Sequence, residues 1–170
     1  MPKGIEIERK YIIHMPDVES LAAFRGYTKS HITQTYLKTD DGSTLRVRRR
    51  EYADRTVFTE TRKIRIDHIS VRELEREIGR DEYEQLLRLA REDSKPVCKT
   101  RHTFEYMGHT VEIDVYPQWQ SFAIMEVELE DACEDVAFPG VIRIFTEVTG
   151  ERAYSNAAMA KEFPPEPAES

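Results

Sequence analysis

The sequence is poor in several things, and each shortage removes a class of protein. It has two cysteines, Cys98 and Cys133, in 170 residues. That is too few for a disulfide framework and fits a reducing cytoplasm. No apolar run approaches the ~18 residues a membrane-spanning helix needs. Met1–Ser20 carries no charged-then-apolar signal segment. There is no internal repeat and no collagen-like period. No G-x-x-x-x-G-K or G-x-G-x-x-G loop occurs, so P-loop and Rossmann nucleotide sites are out. The histidines His14, His31, His68, His102 and His109 are scattered without zinc spacing and read as surface or turn residues. Positive charge is also in deficit, with 25 Lys and Arg against 32 Asp and Glu, a net −7. A net acidic chain is a poor binder of long nucleic acid. What remains is one domain with ample length for a core, expected to be cytoplasmic and to have no membrane partner.

What is present is charge sorted by segment. Ser43–Arg65 holds eight basic residues against three acids. Glu112–Glu151 holds ten acids against one base, Arg143. These charges alternate with apolar residues. Glu6-Ile7-Glu8-Arg9-Lys10, Leu45-Arg46-Val47-Arg48, Glu73-Leu74-Glu75, Val111-Glu112-Ile113-Asp114-Val115 and Glu126-Val127-Glu128-Leu129 all show period two. Period two marks strands with one apolar and one polar face. No parallel βαβ rhythm appears, so the pairing is expected to be mainly antiparallel.

Helices are expected in four places. Pro16–Arg25 carries Val18, Leu21 and Ala22 on one face, with Phe24 beside it, Asp17 as N-cap and Gly26 as stop. Asp81–Arg91 aligns Tyr83, Leu86, Leu87 and Ala90. Shorter helices are expected near Val141–Phe145 and Asn156–Glu162. One domain over residues 1–163 is followed by Pro164–Ser170, which reads as a disordered tail.

The polar faces are nearly single-signed, and the signs are complementary between strands. Like charges at i and i+2 repel, so an ordinary solvated sheet would mix them. A closed sheet with charged faces turned inward around a polar lumen accounts for the pattern better. Buried charges need partners. Arginine and lysine match phosphate oxygens. Carboxylates facing the same site can hold Mg²⁺ or Mn²⁺ that bridge to those oxygens. The two walls therefore call for a small polyphosphate ligand with divalent metal.

Glu6-Ile7-Glu8-Arg9-Lys10 matches an E-x-E-x-K signature near the N-terminus. Arg46-Val47-Arg48, Glu73-Leu74-Glu75, Lys99-Thr100-Arg101, Glu112-Ile113-Asp114-Val115-Tyr116, Glu126-Val127-Glu128-Leu129 and Glu147-Val148-Thr149-Gly150 follow in order, with Tyr154 and Asn156 behind them. In this the chain resembles the CYTH-domain proteins, the triphosphate tunnel metalloenzymes, over roughly residues 4–160. The resemblance implies an α+β fold: an eight-stranded antiparallel β-barrel with a charged lumen, packed by peripheral helices. It implies hydrolysis of a triphosphate with Mg²⁺ or Mn²⁺, most simply tripolyphosphate to pyrophosphate and phosphate, with thiamine or nucleoside triphosphates as other family substrates. Lys10, Arg46, Arg48, Lys99 and Arg101 would then contact phosphate. Glu6, Glu8, Asp114, Glu126 and Glu128 would supply metal ligands. Glu8, Lys10, Glu73 and Glu75 would act on the reacting phosphoryl group. An adenylyl cyclase of the class IV type, or a non-catalytic triphosphate-binding module, are the alternatives.

One position departs from the family pattern. A lysine in a Thr-x-Lys context is usual on the strand between the Arg pair and the second Glu pair. Here Phe58-Thr59-Glu60-Thr61-Arg62-Lys63-Ile64 puts Thr61 at that point. Lys63 shares its face and is the favoured substitute; Arg62 would need a shifted register. Arg49, Arg50 and Arg55 fall around a turn and are expected to be mostly solvated, although Arg50 shares the face of Arg46 and Arg48. Cys98, beside Lys99, is expected to be packed, and Cys133 lies in an acidic loop. Trp119 is as well suited to capping the barrel as to stacking a base.

Overall fold

The computed structural model describes residues 5–168, so Met1–Gly4, Glu169 and Ser170 lie outside the described residues. Nine strands form: β1 Ile5–His14, β2 Thr28–Leu37, β3 Thr44–Glu51, β4 Thr56–Arg65, β5 Ser70–Ile78, β6 Val97–Tyr106, β7 His109–Val115, β8 Phe122–Leu129 and β9 Ile144–Glu147. The alternating segments of the sequence are all strands. Eight of them run antiparallel in the order β5-β4-β3-β2-β6-β7-β8-β1, and β1 closes the ring on β5 through Ile5–Ile7. The ninth, β9, pairs with β1 over Tyr11–Ile13, beyond the stretch that β5 occupies. The seam between β1 and β5 therefore opens along its length, and β9 takes up the β1 edge there.

That edge explains one correction. Val141–Phe145 was expected to be helical, but the chain enters strand β9 at Ile144. The exposed hydrogen-bonding groups of β1 offer a ladder, and Ile144, Phe145 and Thr146 are all good strand formers. The turn that follows β9 then abuts the β4–β5 turn. Gly150 has φ +75, and a Cβ there would stand 2.7 Å from the His68 carbonyl oxygen. Only glycine suits both demands.

Helix is scarcer than the apolar stripes suggest. Pro16–Arg25 yields only a 3-10 helix, Val18–Ala23, with the Asp17 carboxylate accepting from Glu19 N as expected of an N-cap. Leu21 alone of its residues is buried. Asp81–Arg91 becomes α1, Arg80–Leu86, continued by a 3-10 turn at Leu87–Leu89. The last helix, α2, spans Asn156–Lys161. Among the described residues no helix is long and apolar enough to cross a membrane.

The apolar side chains gather in three places. Outward faces of β1, β6, β7 and β8 (Tyr11, Ile13, Phe104, Ile113, Met125, Val127) pack under Leu21 and under loop residues Val136, Phe138 and Ile142. Thus a loop covers much of the surface where a helix was expected. Each large side chain buried this way contributes about 1.5–3 kcal/mol. Val47 and Phe58 pack under Tyr83 of α1. The third cluster lies at one end of the lumen. By alternation Ile12, Ile124, Tyr36 and Tyr116 share the inward faces of Lys10, Glu126, Arg46 and Asp114, and they cluster with Trp119, Phe122 and Met159 of α2. Trp119 is 2% exposed with its ring against Phe163 and Tyr154, so it caps the barrel end.

The stretch after Phe163, expected to be disordered, is bonded to the barrel end as far as Glu166, while Glu169 and Ser170 lie outside the described residues. The Trp119 indole donates to the Pro164 carbonyl at 3.1 Å, and the Glu166 carboxylate accepts from Gln120 N and Ser121 N. Three prolines limit the conformations lost on docking, which makes those few bonds sufficient. Cys98 is a further correction: it is exposed, since it faces outward on β6 where nothing covers the sheet.

Candidate functional site

The strands enclose a polar cavity of about 550 Å³. Eleven of the thirteen residues expected to form a site lie on its wall: Glu6, Glu8 and Lys10 from β1, Arg46 and Arg48 from β3, Lys63 from β4, Glu73 and Glu75 from β5, Arg101 from β6, and Glu126 and Glu128 from β8. Lys63 therefore faces the cavity, 3.7 Å from Glu73, while Arg62 turns outward to Asp41 and Ser43. Thr61, fully buried, donates to the Glu75 carboxylate at 2.8 Å. A lysine at that position would have been a charge for the ligand; the threonine instead fixes a carboxylate.

Two expected residues are not on the wall. The Lys99 ammonium is 0% exposed and 2.8 Å from Asp114, whose own side chain is 1% exposed. Both Asp114 oxygens also accept from Arg101, at 2.8 and 2.9 Å. The Lys99 charge and both Asp114 oxygens are thus engaged within the wall. Register is the cause: Asp114 stands directly across from Arg101, and opposite charges so placed in a low-dielectric wall pair with each other.

The electrostatics divide the wall. Burial, then the nearby Arg46 and Arg101 charges, pulls the Arg48 pKa down to about 9. Its guanidinium donates twice to Gln34 Oε1, at 3.3 and 3.0 Å. Arg46 Nε is buried with no hydrogen-bond partner among the described residues. On the other side Glu8 is lifted to about 8, first by burial and then by the Glu126 charge, and the two carboxyls share a hydrogen bond. Burial opposes ionisation of Glu126 as well, but Lys10 and Arg101 hold it well below the usual carboxylate range. Lys10 lies 3.5 Å from Glu126 and donates to the Tyr154 carbonyl at 2.9 Å. At neutral pH the Glu8–Glu126 pair thus holds one proton between two carboxyls.

Sequence reasoning missed other wall residues. Arg50, which donates to Ser30, and Glu112, which accepts from Arg101, reach the cavity. Their strand faces were legible in the alternation. Arg65 also lies on the wall, on the Lys63 face of β4. Arg91, Arg152, Asn156 and Lys161 arrive from outside the barrel strands, and no periodicity could have marked them.

A hard divalent cation suits part of this donor set. Glu8 and Glu126 place carboxyl oxygens side by side around a proton that a cation could replace, and Glu128 stands opposite Glu8 across the β1–β8 pair. Among the described residues no three such side chains converge closely enough to hold an ion as they stand. Glu6, Glu8, Glu126 and Glu128 fit by donor type, and all four line the cavity. Asp114 does not, because its oxygens are already engaged.

The CYTH domain profile matches residues 4–158. The chain belongs to the CYTH family. Among solved structures, the inorganic triphosphatase NE1496 is 28% identical, with 94% of this chain and 96% of that one covered and a TM-score of 0.57. PH1819 from Pyrococcus horikoshii OT3 is 23% identical over 74% of this chain and 79% of its own, with a TM-score of 0.56. HpAC1 from Hippeastrum, described as having a dominant triphosphatase activity, is 16% identical over 76% and 80%, with a TM-score of 0.53. The last two show the shared fold. No curated protein sequence matches the chain.

Proposed function

We propose that this protein is a metal-dependent triphosphatase that cleaves inorganic tripolyphosphate to pyrophosphate and phosphate. The observation that carries the reading is the cavity itself: Lys10, Arg46, Arg48, Lys63 and Arg101 line it together with a carboxylate-rich side. The similarity to the inorganic triphosphatase NE1496 supports it. Membership of the CYTH family supports metal dependence in general.

Phosphoryl transfer depends on positioning and charge neutralisation. Arg46 and Arg48, kept by neutral neighbours, hold the phosphate chain with two parallel donors each. Lys10 and Lys63 sit beside carboxylates and draw the chain toward them. Mg²⁺ or Mn²⁺, held by Glu6, Glu8, Glu126 and Glu128, would neutralise charge on the phosphate oxygens. Glu75, oriented by Thr61, and Glu73, beside Lys63, are placed to accept a proton from an attacking water. Tyr36 is the one aromatic on the wall among the described residues, and it is 3% exposed. A purine finds no open ring to stack on, which favours an inorganic chain over ATP and a hydrolase over a cyclase.

The test is phosphate release from tripolyphosphate with Mg²⁺ or Mn²⁺, with ATP in parallel. Turnover of tripolyphosphate, abolished in Glu8→Gln, supports the reading. No release with either metal, or cyclic AMP as the main product from ATP, contradicts it.

A further inference from the structure

We propose that Asn156 is a substrate-binding residue whose side-chain NH₂ donates to a phosphate oxygen, while its carbonyl oxygen is tied back to Lys99 and Tyr116. The inference rests on the triphosphate reading above and adds a residue and a contact to it.

The amide orientation follows from hydrogen-bond chemistry. Lys99 Nζ lies 3.2 Å from Asn156 Oδ1 and 2.8 Å from the Asp114 carboxylate, and in its ammonium form it can only donate. The atom facing it is therefore the carbonyl oxygen. The Tyr116 hydroxyl donates to the same oxygen at 2.9 Å. With Oδ1 held by two donors, the NH₂ group must point the other way. Asn156 lines the cavity, and among the described residues its NH₂ has no hydrogen-bond partner. A fixed, unmatched donor facing a cavity of cations is what an anionic oxygen binds.

A purely structural role explains this less well. Asparagine near a helix start commonly serves as the cap. Here Ser155 caps α2, accepting from Ala158 N, and Asn156 is left out of that task. The helix is anchored by Met159 and Ala160 in the apolar end and by Lys95 N bonding to the Ala160 carbonyl. Asn156 thus rides on a fixed element.

The same geometry gives Lys99 a part. Its charge is off the cavity wall, yet it bonds to the oxygen of an amide whose other end faces the cavity. A hydrogen bond from Lys99 to Oδ1, strongest when Lys99 is charged, polarises the amide and strengthens the N–H donors. Lys99 is then a positioning residue that acts on substrate through Asn156.

The experiment is a calorimetric titration of tripolyphosphate with Mg²⁺ into wild type, Asn156→Asp and Asn156→Ala, with each thermal midpoint recorded. Asn156→Asp keeps an acceptor for Lys99 and Tyr116 but turns a carboxylate oxygen on the phosphate. It should melt close to wild type and bind about 100-fold more weakly, having lost a charge-assisted donor and gained a repulsion. Asn156→Ala should lose about tenfold. A folded Asn156→Asp protein that binds within about twofold of wild type overturns the proposal. Should neither variant fold, Tyr116→Phe serves: it releases one tether of the amide and should cost about threefold, and unchanged affinity overturns the proposal. Wild type that binds no tripolyphosphate brings down the functional reading and this inference together. Wild type that binds while Asn156→Asp matches it brings down this inference alone.

Discussion

Strands β3 and β6 each carry a pair of inward cations two residues apart, and in the sequence Arg46-Val47-Arg48 and Lys99-Thr100-Arg101 look interchangeable. The fold treats them differently. Across from Arg46 and Arg48 stand Tyr36 and Gln34 on β2 and Thr61 and Thr59 on β4, all neutral. Across from Arg101 stands Asp114, with Glu112 one step along the same face of β7. The first pair has no carboxylate directly across from it; Arg46 and Arg101 press on the Arg48 charge, while Tyr36 and Glu73 favour that of Arg46. The second pair meets carboxylates in the wall itself, Lys99 and Arg101 on Asp114 and Arg101 also on Glu112. The inward charge of a strand says what could bind; the strand beside it decides what does.

Substitutions can break that contrast. The largest effect is expected from Asp114→Asn, which strips the anion shared by Lys99 and Arg101. Breaking a buried pair from one side costs about 3–5 kcal/mol, so the urea midpoint should fall steeply. A midpoint within error of wild type would show that the β6 cations are not structural. A smaller effect of a different kind is expected from Arg48→Gln. Stability should hold or rise, because Arg48 is a buried cation pressed by Arg46 and Arg101. Tripolyphosphate affinity should drop about 100-fold with the loss of a bidentate donor. Lost stability with unchanged affinity would reverse the assignment of the two strands.

A third signal is a pH dependence in the ligand-free protein, in which two slopes run in opposite directions. Glu8 is raised from 4.5 to about 8, so the folded state binds the extra proton in that window and stability falls as pH rises through it. Lys99 is lowered from 10.5 to about 7, chiefly by burial, so the unfolded state binds the extra proton and stability rises from about 7 upward. Urea midpoints across pH 5 to 10 should therefore dip between about 7 and 8. Glu8→Gln should remove the falling limb and leave the rising one. A flat profile in wild type would count against both shifts.

Much of this was legible without coordinates. Period-two alternation with single-signed polar faces gave the strands and their inward faces, and of the thirteen site residues that the CYTH resemblance implied eleven lie on the cavity wall. It also showed that Lys63, not Arg62, shares the face of Thr61. Alternation gives the face but not the register, and register decides that Asp114 meets Arg101, which engages both its oxygens. It gives no account of β9, whose four residues became a strand because the edge of β1 was open beside them. Nor could it reach Asn156, Arg91 or Lys161, which enter the wall from segments outside the barrel strands. Apolar stripes at helical spacing were overread: Val18–Ala23 buries one leucine and stops at a 3-10 helix. The tail's prolines suggested disorder, and alternation could not foresee that the Trp119 indole and the Gln120 and Ser121 N–H groups bond it as far as Glu166.

The central claim is that the cavity is a triphosphate site built on the β3 arginines. Titrating tripolyphosphate with Mg²⁺ into wild type and into the Arg46→Gln/Arg48→Gln double variant tests it most directly. The account predicts one saturable site per chain in wild type and none in the folded double variant. Absence of saturable binding in wild type, or full affinity in the double variant, would contradict it.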